Sequence, residues 1–534
     1  MKRSWLLLAA AVSAAAAPSD VLRYGRFEQA LTAPRDFANP LREQVLVEFS
    51  GPGGVRDLTA AFWDGGRTWR VRYSPERTGA WRWRVAGAGF QPPSGSFRAT
   101  AYKGSNPLYL HGAPRLSPDR RYFVHADGKP WFWLACTGWN SALLSTDAEW
   151  ERYLADRNAK KFTAIQFVTT QWRAGRKDEL GQVAFTGVEE IRVNPEFFRR
   201  LDRRFDTLND RGLVAAAVVL WAFTSKDNES PGEALPVDQA ALLAGYITAR
   251  YGAHHVMWLL GGDGDYRGAK AERWKTIGRA AFPEGRPRRP VTLHPRGTQE
   301  PWPPLKDEPW VDFFMYQSGQ GSDVKKWRWN ATRGPAVDWK LEPPHPVVDG
   351  EPNYEAHISY HSKKATTDAD VRRAVYYSLL AAPPAGVTYG AHGIWYWARE
   401  RAVPLDHPRS GEADPWHVCL DYPGSRQMRV LREIFDSVEW WRLRPDRSLL
   451  AEDPEGEDFR SYMMPARSAD GKFALIYLPA NPSVKLNLSG FKGRVTATWI
   501  DPRQGRRRDA IPLKSAAPVE LKTPDESDWL LLLR

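Results

Sequence analysis

Cysteine is almost absent from this sequence, whose 534 residues include only Cys136 and Cys419. Two cysteines are too few for a disulfide framework or for a cysteine-rich zinc site, so both of these classes are excluded. One long-range bridge between Cys136 and Cys419 is compatible with the sequence, but nothing in the sequence implies it.

Motifs that define several other classes of protein are also missing. No G-x-G-x-x-G follows a predicted strand, which argues against a nucleotide-binding sheet, and no G-x-S-x-G is present, which argues against a serine esterase. His357 and His361 have a spacing that can bind zinc on a helix, but the intervening Ile-Ser-Tyr lacks the glutamate of H-E-x-x-H. We therefore expect no metal and no cofactor.

Long hydrophobic runs are missing except near the first residue. Lys2 and Arg3 precede an apolar stretch at residues 5–12, and small residues follow at 14–17. This pattern is typical of a signal peptide, and the apolar stretch is too short to cross a bilayer as a helix. We predict a cleaved signal peptide at residues 1–19, a secreted or periplasmic protein, and no integral membrane segment.

The charge balance is basic, with a formal net charge of +12. A basic exported protein attracts acidic partners, and both acidic polysaccharide and anionic cell surface fit this description. Lys and Arg are spread along the chain, and the dense cluster at residues 506–508 fits a solvated turn, so no nucleic-acid partner is expected. The sequence does not indicate the oligomeric state.

Aromatic residues are abundant, with 25 Trp and 19 Tyr. Aromatic faces stack on the apolar faces of sugar rings, so this composition suits a protein that binds carbohydrate. The alternative, in which many of these Trp are core residues, is equally compatible with the count.

Two β-rich regions flank a central region. Residues 45–50 and 80–85 alternate at period two between Gly- and Pro-rich turns, which predicts an N-terminal β-sandwich over residues 20–102. A linker follows at 103–107. After Arg444 the alternation returns, which predicts a second β-sandwich over residues 440–534.

The central region, residues 107–437, alternates buried strands with amphipathic helices. Eight strands in about 330 residues predict a (β/α)8 barrel, whereas a doubly wound sheet has fewer strands and usually a nucleotide loop. The segment between strands five and six is Pro-rich and is predicted to be a loop. The predicted strands are 131–136, 162–168, 213–220, 256–260, 290–294, 311–316, 346–349 and one within 387–397. The predicted helices are 147–160, 197–210, 237–251, 268–281, 368–380 and 425–435.

Carboxylates follow two of the predicted strands. Strand four runs into Gly-Gly-Asp263, and strand seven runs into Gly-Glu351. Because barrel active sites lie at the carboxyl ends of the strands, we expect the two acids to face one pocket. Glycosidic cleavage needs such a pair, with one acid protonated and the other ionised.

Other residues at strand ends are candidates for contacts to a sugar, with packing at the barrel rim as the alternative for the aromatic ones. Asp265 and Glu355 lie near the pair, but a solvated or salt-bridged role is favoured for each. The predicted substrate-binding residues are Trp139, Gln171, Trp221, Tyr316, Gln317, Tyr389, His392 and Trp395.

Seven stretches of the central region together carry a family resemblance: 128–134, 136–139, 157–166, 250–252, 258–263, 351–355 and 388–395. Through them, the central region resembles the apiosidase-like family of barrel glycosidases. The resemblance implies that Asp263 is the acid/base and Glu351 the nucleophile. Many related barrels use Glu after strand four, but apiosidase-like enzymes share the Asp. The flanking sandwiches resemble a domain found before such barrels and a module of the collagen-binding type.

These observations predict a retaining glycoside hydrolase that acts on a glycan, such as a plant pectic or other acidic polysaccharide side chain. The alternative is a non-catalytic carbohydrate- or matrix-binding protein built on the same barrel. Both acids at the expected strand ends favour the enzyme.

Overall fold

The computed structural model describes residues 19–87, 89–223, 230–452, 459–514 and 518–534. The predicted signal peptide therefore lies outside the described residues, apart from Ser19, which begins the first strand, Ser19–Leu22.

An N-terminal β-sandwich precedes the barrel, and its two sheets enclose an aromatic core that includes Phe27, Phe49, Trp69, Trp81 and Phe97. The five-stranded sheet has the order Ser19–Leu22, Ser94–Thr100, Gly79–Ala86, Leu46–Gly51, Val55–Ala60. The three-stranded sheet has the order Phe27–Thr32, Thr68–Tyr73, Phe62–Trp63.

Eight parallel strands form a nearly closed barrel in the order β5-β4-β3-β2-β1-β8-β7-β6, as the sequence predicted. Most of their residues are apolar on both sides because helices cover the outside and side chains fill the inside. The strands are β1 (Trp133–Thr137), β2 (Ala164–Val168), β3 (Val214–Trp221), β4 (Val256–Gly262), β5 (Val291–Thr292), β6 (Phe314–Tyr316), β7 (Val347–Asp349) and β8 (Pro384–Ala391).

The strands β5 and β6, at the two ends of the sheet, are not joined by a regular ladder of backbone hydrogen bonds. Individual hydrogen bonds connect them instead. The backbone N–H of Asp312 donates to the carbonyl of Val291 (2.9 Å), and the Thr292 hydroxyl donates to the carbonyl of Phe313 (2.6 Å). The connection between these strands contains no helix within its described residues, in agreement with the Pro-rich loop that was predicted.

The long helices of the barrel follow the predicted ones closely, except that the helix Val324–Thr332 was not among those predicted. Helix α1 begins with a capping box between Thr146 and Glu149. The helices are α1 (Asp147–Ala159), α2 (Pro195–Asp210), α3 (Val237–Tyr251), α4 (Ala269–Ala281), α5 (Val324–Thr332), α6 (Asp368–Leu380) and α7 (Pro423–Asp436).

Both faces of the larger sheet of the C-terminal sandwich are buried. In the strand Trp529–Leu533, Leu531 and Leu533 face the sandwich core, whereas Leu530 and Leu532 belong to the hydrophobic cluster that continues from this sheet into the barrel domain. That sheet has the order Leu443–Pro445, Met464–Ser468, Ala474–Leu478, Trp529–Leu533, Val495–Ile500, Ile511–Leu513, and its partner pairs Ser483–Leu486 with Val519–Lys522.

Three further observations concern the described residues as a whole. None of their helices combines the length and hydrophobicity needed to cross a bilayer. None of their His, Cys, Asp and Glu side chains form a group of three that could hold a metal ion. Cys136 and Cys419 are both buried and are not joined to each other.

Candidate active site

Asp263 follows β4 in a backbone conformation that most residues avoid. Its φ is +52°, in the left-handed region, which Asp tolerates better than bulky or branched residues do. A Cβ on the preceding Gly262 would lie 2.5 Å from the ring of Trp221, so only glycine lets strands β3 and β4 approach here. The Gly-Gly-Asp sequence therefore turns the carboxyl group toward the inside of the barrel mouth.

Glu351 follows β7 after a second glycine under similar constraint. A Cβ on Gly350 would lie 2.4 Å from the sulfur of Met315. The buried carboxyl group of Asp349 accepts hydrogen bonds from the backbone N–H groups of Ser318 and Glu351, each at 3.2 Å. Asp349 thus joins the loops that follow β6 and β7 and sets where Glu351 leaves the strand.

The Glu351 carboxyl group contacts polar side chains in a buried setting. Gln320 Nε2 donates to Oε1 at 3.2 Å, and His294 Nε2 lies 3.3 Å from Oε2. The Tyr354 hydroxyl, which also accepts from Trp139 Nε1 at 3.0 Å, interacts with the same carboxyl group. These partners thus hold both oxygens of the Glu351 side chain in one orientation.

Asp263 has the opposite electrostatic setting. Burial, reinforced by the charge of Glu351, raises the pKa of Asp263 to about 7, although His294, Arg173 and Arg296 act in the other direction. This is the direction predicted for a proton donor. One carboxyl group that holds a proton near neutral pH beside another that accepts hydrogen bonds has the asymmetry of an acid and a nucleophile.

Both carboxyl groups line one cleft of about 500 Å³ at the carboxyl ends of the strands. Its walls come from the carboxyl ends of the strands and the segments that follow them, and all eight strands contribute, with Trp139 following β1 and Asp263 following β4. The lining includes the aromatic residues Trp139, Trp172, Trp221, Phe223, Tyr354, Tyr360 and Trp395. A polar cleft with aromatic walls suits a sugar ring.

Two arginines stand on the Asp263 side of this cleft. The guanidinium carbons of Arg173 and Arg296 lie 4.2 and 4.0 Å from the centroid of the Phe223 ring. Arg173 Nη2 also lies 2.6 Å from Nε2 of His407, whose pKa is lowered to about 4 by burial and by Arg173. This imidazole is neutral and does not offset the charge of Arg173, which forms an ion pair with Asp406 at 3.9 Å.

A third cation, Lys326 on α5, lines the cleft near Glu351. The side chain is almost fully buried, and burial lowers its pKa to about 8, against the opposing charges of Asp349 and Glu351. The ammonium group is therefore still mostly protonated at neutral pH. Within the described part of the chain it forms no ion pair, and its Nζ lies 5.7 Å from the centroid of the Trp329 ring.

Half of the predicted substrate-binding residues line the cleft, and the other half are engaged elsewhere. Gln171 holds the loop backbone at Phe185 and Ala184, Tyr316 donates to Asp338, Tyr389 donates to Glu355, and His392 bonds Gly411 and Trp395. Those in the cleft, beside Asp263 and Glu351, are Trp139, Trp221, Gln317 and Trp395.

The two neighbouring acids have structural partners, in line with the favoured interpretation. Asp265 is paired with Arg267 at 2.9 Å. Glu355 accepts from the Tyr389 hydroxyl and from the backbone N–H of Gly424 at the start of α7. His357 and His361 both line the cleft but are not on a helix, and His361 is paired with Asp323 at 2.8 Å.

Sequence reasoning missed most of the charged lining. Arg173 and Arg296 lie a few residues after the ends of β2 and β5, and this position is the feature of the sequence that could have identified them as cleft residues. Lys326 lies in a helix that was not predicted, in a Lys-Lys-Trp run that is typical of an exposed surface. The lining residues that were not predicted include Arg173, Phe223, Arg296, Gln320, Lys326, Tyr354, Tyr360, Asp406, His407 and Arg409.

In sequence, residues 117–442 match the family model described as the apiosidase-like catalytic domain. Residues 20–87 match a domain of unknown function, and residues 444–534 match the proposed collagen-binding domain of a collagenase. No curated protein matches the sequence.

Similar solved structures share the fold. A glycoside hydrolase has a TM-score of 0.70 and 24% identity, over 81% of this chain and 98% of its own. A glycoside hydrolase family 5 protein from Bacteroides vulgatus has a TM-score of 0.69 and 22% identity, over 81% and 95%. A second protein from that organism has a TM-score of 0.71 and 16% identity, over 96% and 99%, so its fold spans the flanking domains too.

Proposed function

The chain belongs to the apiosidase-like family and is a glycosidase, and we propose that it cleaves an acidic glycan, of the pectic side-chain type, with retention of anomeric configuration. The observation that carries this proposal is the asymmetry of the two acids in one cleft. Asp263 has a pKa raised to about 7, whereas Glu351 lies among hydrogen-bond donors. We assign Asp263 as acid/base and Glu351 as nucleophile.

In the first step, Asp263 donates its proton to the glycosidic oxygen while Glu351 attacks the anomeric carbon, so a glycosyl ester forms and the leaving sugar departs. The ester removes the charge of Glu351, which is one of the causes that raise the pKa of Asp263. Asp263 therefore becomes easier to deprotonate when a general base is needed. It then takes a proton from water, which attacks the anomeric carbon and releases Glu351.

The cations of the cleft support an acidic substrate. Arg173 and Arg296 lie beside the proton donor, on the side where the leaving sugar departs, and Lys326 lies near the nucleophile. Guanidinium groups match carboxylates in geometry, and a cleft of one charge sign raises the local concentration of the oppositely charged ligand. The overall charge of +12 acts in the same direction.

The proposal is tested with the purified protein on de-esterified pectin oligosaccharides and on neutral glycans, with Glu351→Gln as the control. Chromatography reads the products, and NMR recorded within the first turnovers reads their anomeric configuration. Release of a sugar of the original configuration from acidic glycans alone is expected. Release of the opposite anomer would refute retention, and equal cleavage of neutral glycans would refute the substrate class.

We also propose that the protein is exported, because residues 1–17 have the order of charged, apolar and small residues that signal peptidase recognises. Mass spectrometry of protein expressed in a secreting host should find a mature chain that starts near residue 20. An intact Met1 in the cytoplasmic fraction would contradict export.

A further inference from the structure

His294, just after β5, contacts both proposed catalytic acids. Its side chain is fully buried, and its ring packs edge-on against Trp139 at 5.3 Å. Nδ1 accepts a hydrogen bond from the backbone N–H of Asp263 at 3.2 Å. Nε2 lies 3.3 Å from Glu351 Oε2, a close electrostatic contact whose angles are not those of a hydrogen bond. One imidazole therefore lies between the acid and the nucleophile.

These contacts determine where the imidazole carries its proton. A backbone N–H can only donate, so Nδ1 must offer a lone pair to Asp263. A neutral ring then has its proton on Nε2, where it faces the Glu351 carboxyl group. The hydrogen bond from Asp263 therefore fixes the Nε2–H tautomer of the neutral ring.

The same segment also holds the left-handed conformation of Asp263. Arg296 Nε donates to the Asp263 carbonyl at 3.3 Å, so both backbone groups of Asp263 are bonded to the loop after β5. Next to them, Gly264 N–H donates to the His294 carbonyl and Arg296 N–H donates to the Gly264 carbonyl. A sparsely populated conformation persists where its surroundings determine it in this way.

We propose that His294 is a positioning residue that orients both acids through two different nitrogens, Nδ1 for the proton donor and Nε2–H for the nucleophile. The inference rests on the proposed roles of Asp263 and Glu351. In this role the imidazole transfers no proton, and its own proton stays on Nε2 throughout the reaction.

Two conservative variants separate these two contacts. In His294→Asn, the amide oxygen replaces Nδ1 and the contact to Glu351 is lost. In His294→Gln, the amide nitrogen reaches the place of Nε2 and the acceptor for Asp263 is lost. If His294 had a purely structural role, His294→Asn and His294→Gln would have similar activities on each substrate, and the loss of activity would follow the decrease in unfolding temperature.

The tautomer can be read without any substrate. With the full-length protein labelled with 15N-histidine, NMR at about pH 7 should show His294 as the Nε2–H tautomer. His392 is the internal control, since its Nδ1 accepts from Trp395 and its Nε2 bonds the Gly411 carbonyl. Glu351→Gln should move the His294 signals and leave those of His392 in place. An Nδ1–H tautomer or an imidazolium at His294 would overturn the proposal.

Kinetics then test the separation on the oligosaccharide cleaved in the screen and on the 2,4-dinitrophenyl glycoside of the same sugar. His294→Gln should lose about 100-fold on the oligosaccharide but little on the activated glycoside, which leaves without a proton. His294→Asn should lose a similar factor on both. If His294→Gln and His294→Asn lost the same factors on the two substrates, the proposal for His294 would be refuted. If the wild type were inactive on both substrates but His294 showed the predicted tautomer, only the proposed function would be refuted.

Discussion

Two clusters of buried charge in this molecule have opposite effects on their carboxyl groups. One lies between the N-terminal sandwich and the barrel, where Arg250 pairs with Asp64 at 2.9 Å and with Asp202 at 2.7 Å, and Arg72 pairs with Asp202 at 2.8 Å. Burial alone would raise the pKa of Asp202, but Arg72 and Arg250 hold it well below its usual range.

The second cluster is the cleft, where the balance is reversed. Asp263 has arginines in its vicinity but no ion pair within the described residues, and burial with the charge of Glu351 raises its pKa to about 7. The comparison shows that pairing, rather than burial, decides the sign of the shift. Paired carboxylates join the domains, and the unpaired one keeps a proton that it can donate.

The largest effect is expected for Glu351→Gln, which removes the nucleophile. Turnover should fall by about 10,000-fold or more on every glycoside, because no covalent intermediate can form. Initial rates on the oligosaccharide and on the activated glycoside measure this loss. The matched control is Glu355→Gln, whose side chain caps α7 outside the cleft and should keep most of the activity. Wild-type turnover in Glu351→Gln would remove Glu351 from the mechanism.

Asp263→Asn should have the next largest effect, and the loss should depend on the leaving group. Cleavage of sugar leaving groups should fall by about 100- to 10,000-fold, because the proton donor is gone. The first step with a dinitrophenyl glycoside should be spared and should appear as a burst. Asp265→Asn, which alters an exposed pair two residues away, serves as the control. Equal losses on both substrates would show that Asp263 is not the acid.

The interface cluster should respond in stability instead of activity. Arg250→Met leaves Asp64 and Asp202 each short of one buried cation, which should lower the free energy of unfolding by about 3–5 kcal/mol. Urea titration measures this change, and the folded protein should retain its kcat. Arg267→Met, which removes a half-exposed partner of Asp265, should cost less than about 1 kcal/mol. If Arg250→Met and Arg267→Met lowered the free energy of unfolding by similar amounts, the buried ion pairs of the interface would contribute no more than an exposed pair.

The smallest effect is a difference in how stability depends on pH. Asp263 has a folded pKa of about 7 against an ordinary value of 3.8, so the unfolded chain releases this proton first and stability falls as pH rises between these values. Asp263→Asn should therefore gain in unfolding temperature, relative to the wild type, from about pH 4 to pH 7.

Asp202 should show the opposite trend. Its pKa is lowered in the folded state, so its contribution is complete above the ordinary value of 3.8 and is lost as pH falls below it. Asp202→Asn should be less stable than the wild type at neutral pH, and the gap should narrow in acid. Parallel pH profiles of the unfolding temperature for Asp202→Asn and Asp263→Asn would contradict the comparison.

The sequence by itself determined the architecture. Each barrel strand was a buried run that needs no distant partner to be recognised, and the helices α1 and α6 begin at residues whose capping groups are local. The two acids followed from counting strands, because the barrel places active sites at one end of every strand. The glycines that precede the two acids, Gly262 and Gly350, were visible in the sequence as well. The reason that glycine is needed there, the close approach of Trp221 and Met315, is visible only in the tertiary structure.

Only the tertiary structure decided which side chains reach the cleft. Tyr316 and Tyr389 lie in strands whose ends point to the site, yet both hydroxyl groups bond buried carboxyl groups between the strands and the surrounding helices. A strand pattern of period two distinguishes the inside of the sheet from the outside, but not the barrel core from its rim. Arg173, Arg296 and Lys326 reach the cleft from segments that are at least 30 residues apart. Their spacing carries no local signal, and the packing of the loops brings them to one cleft.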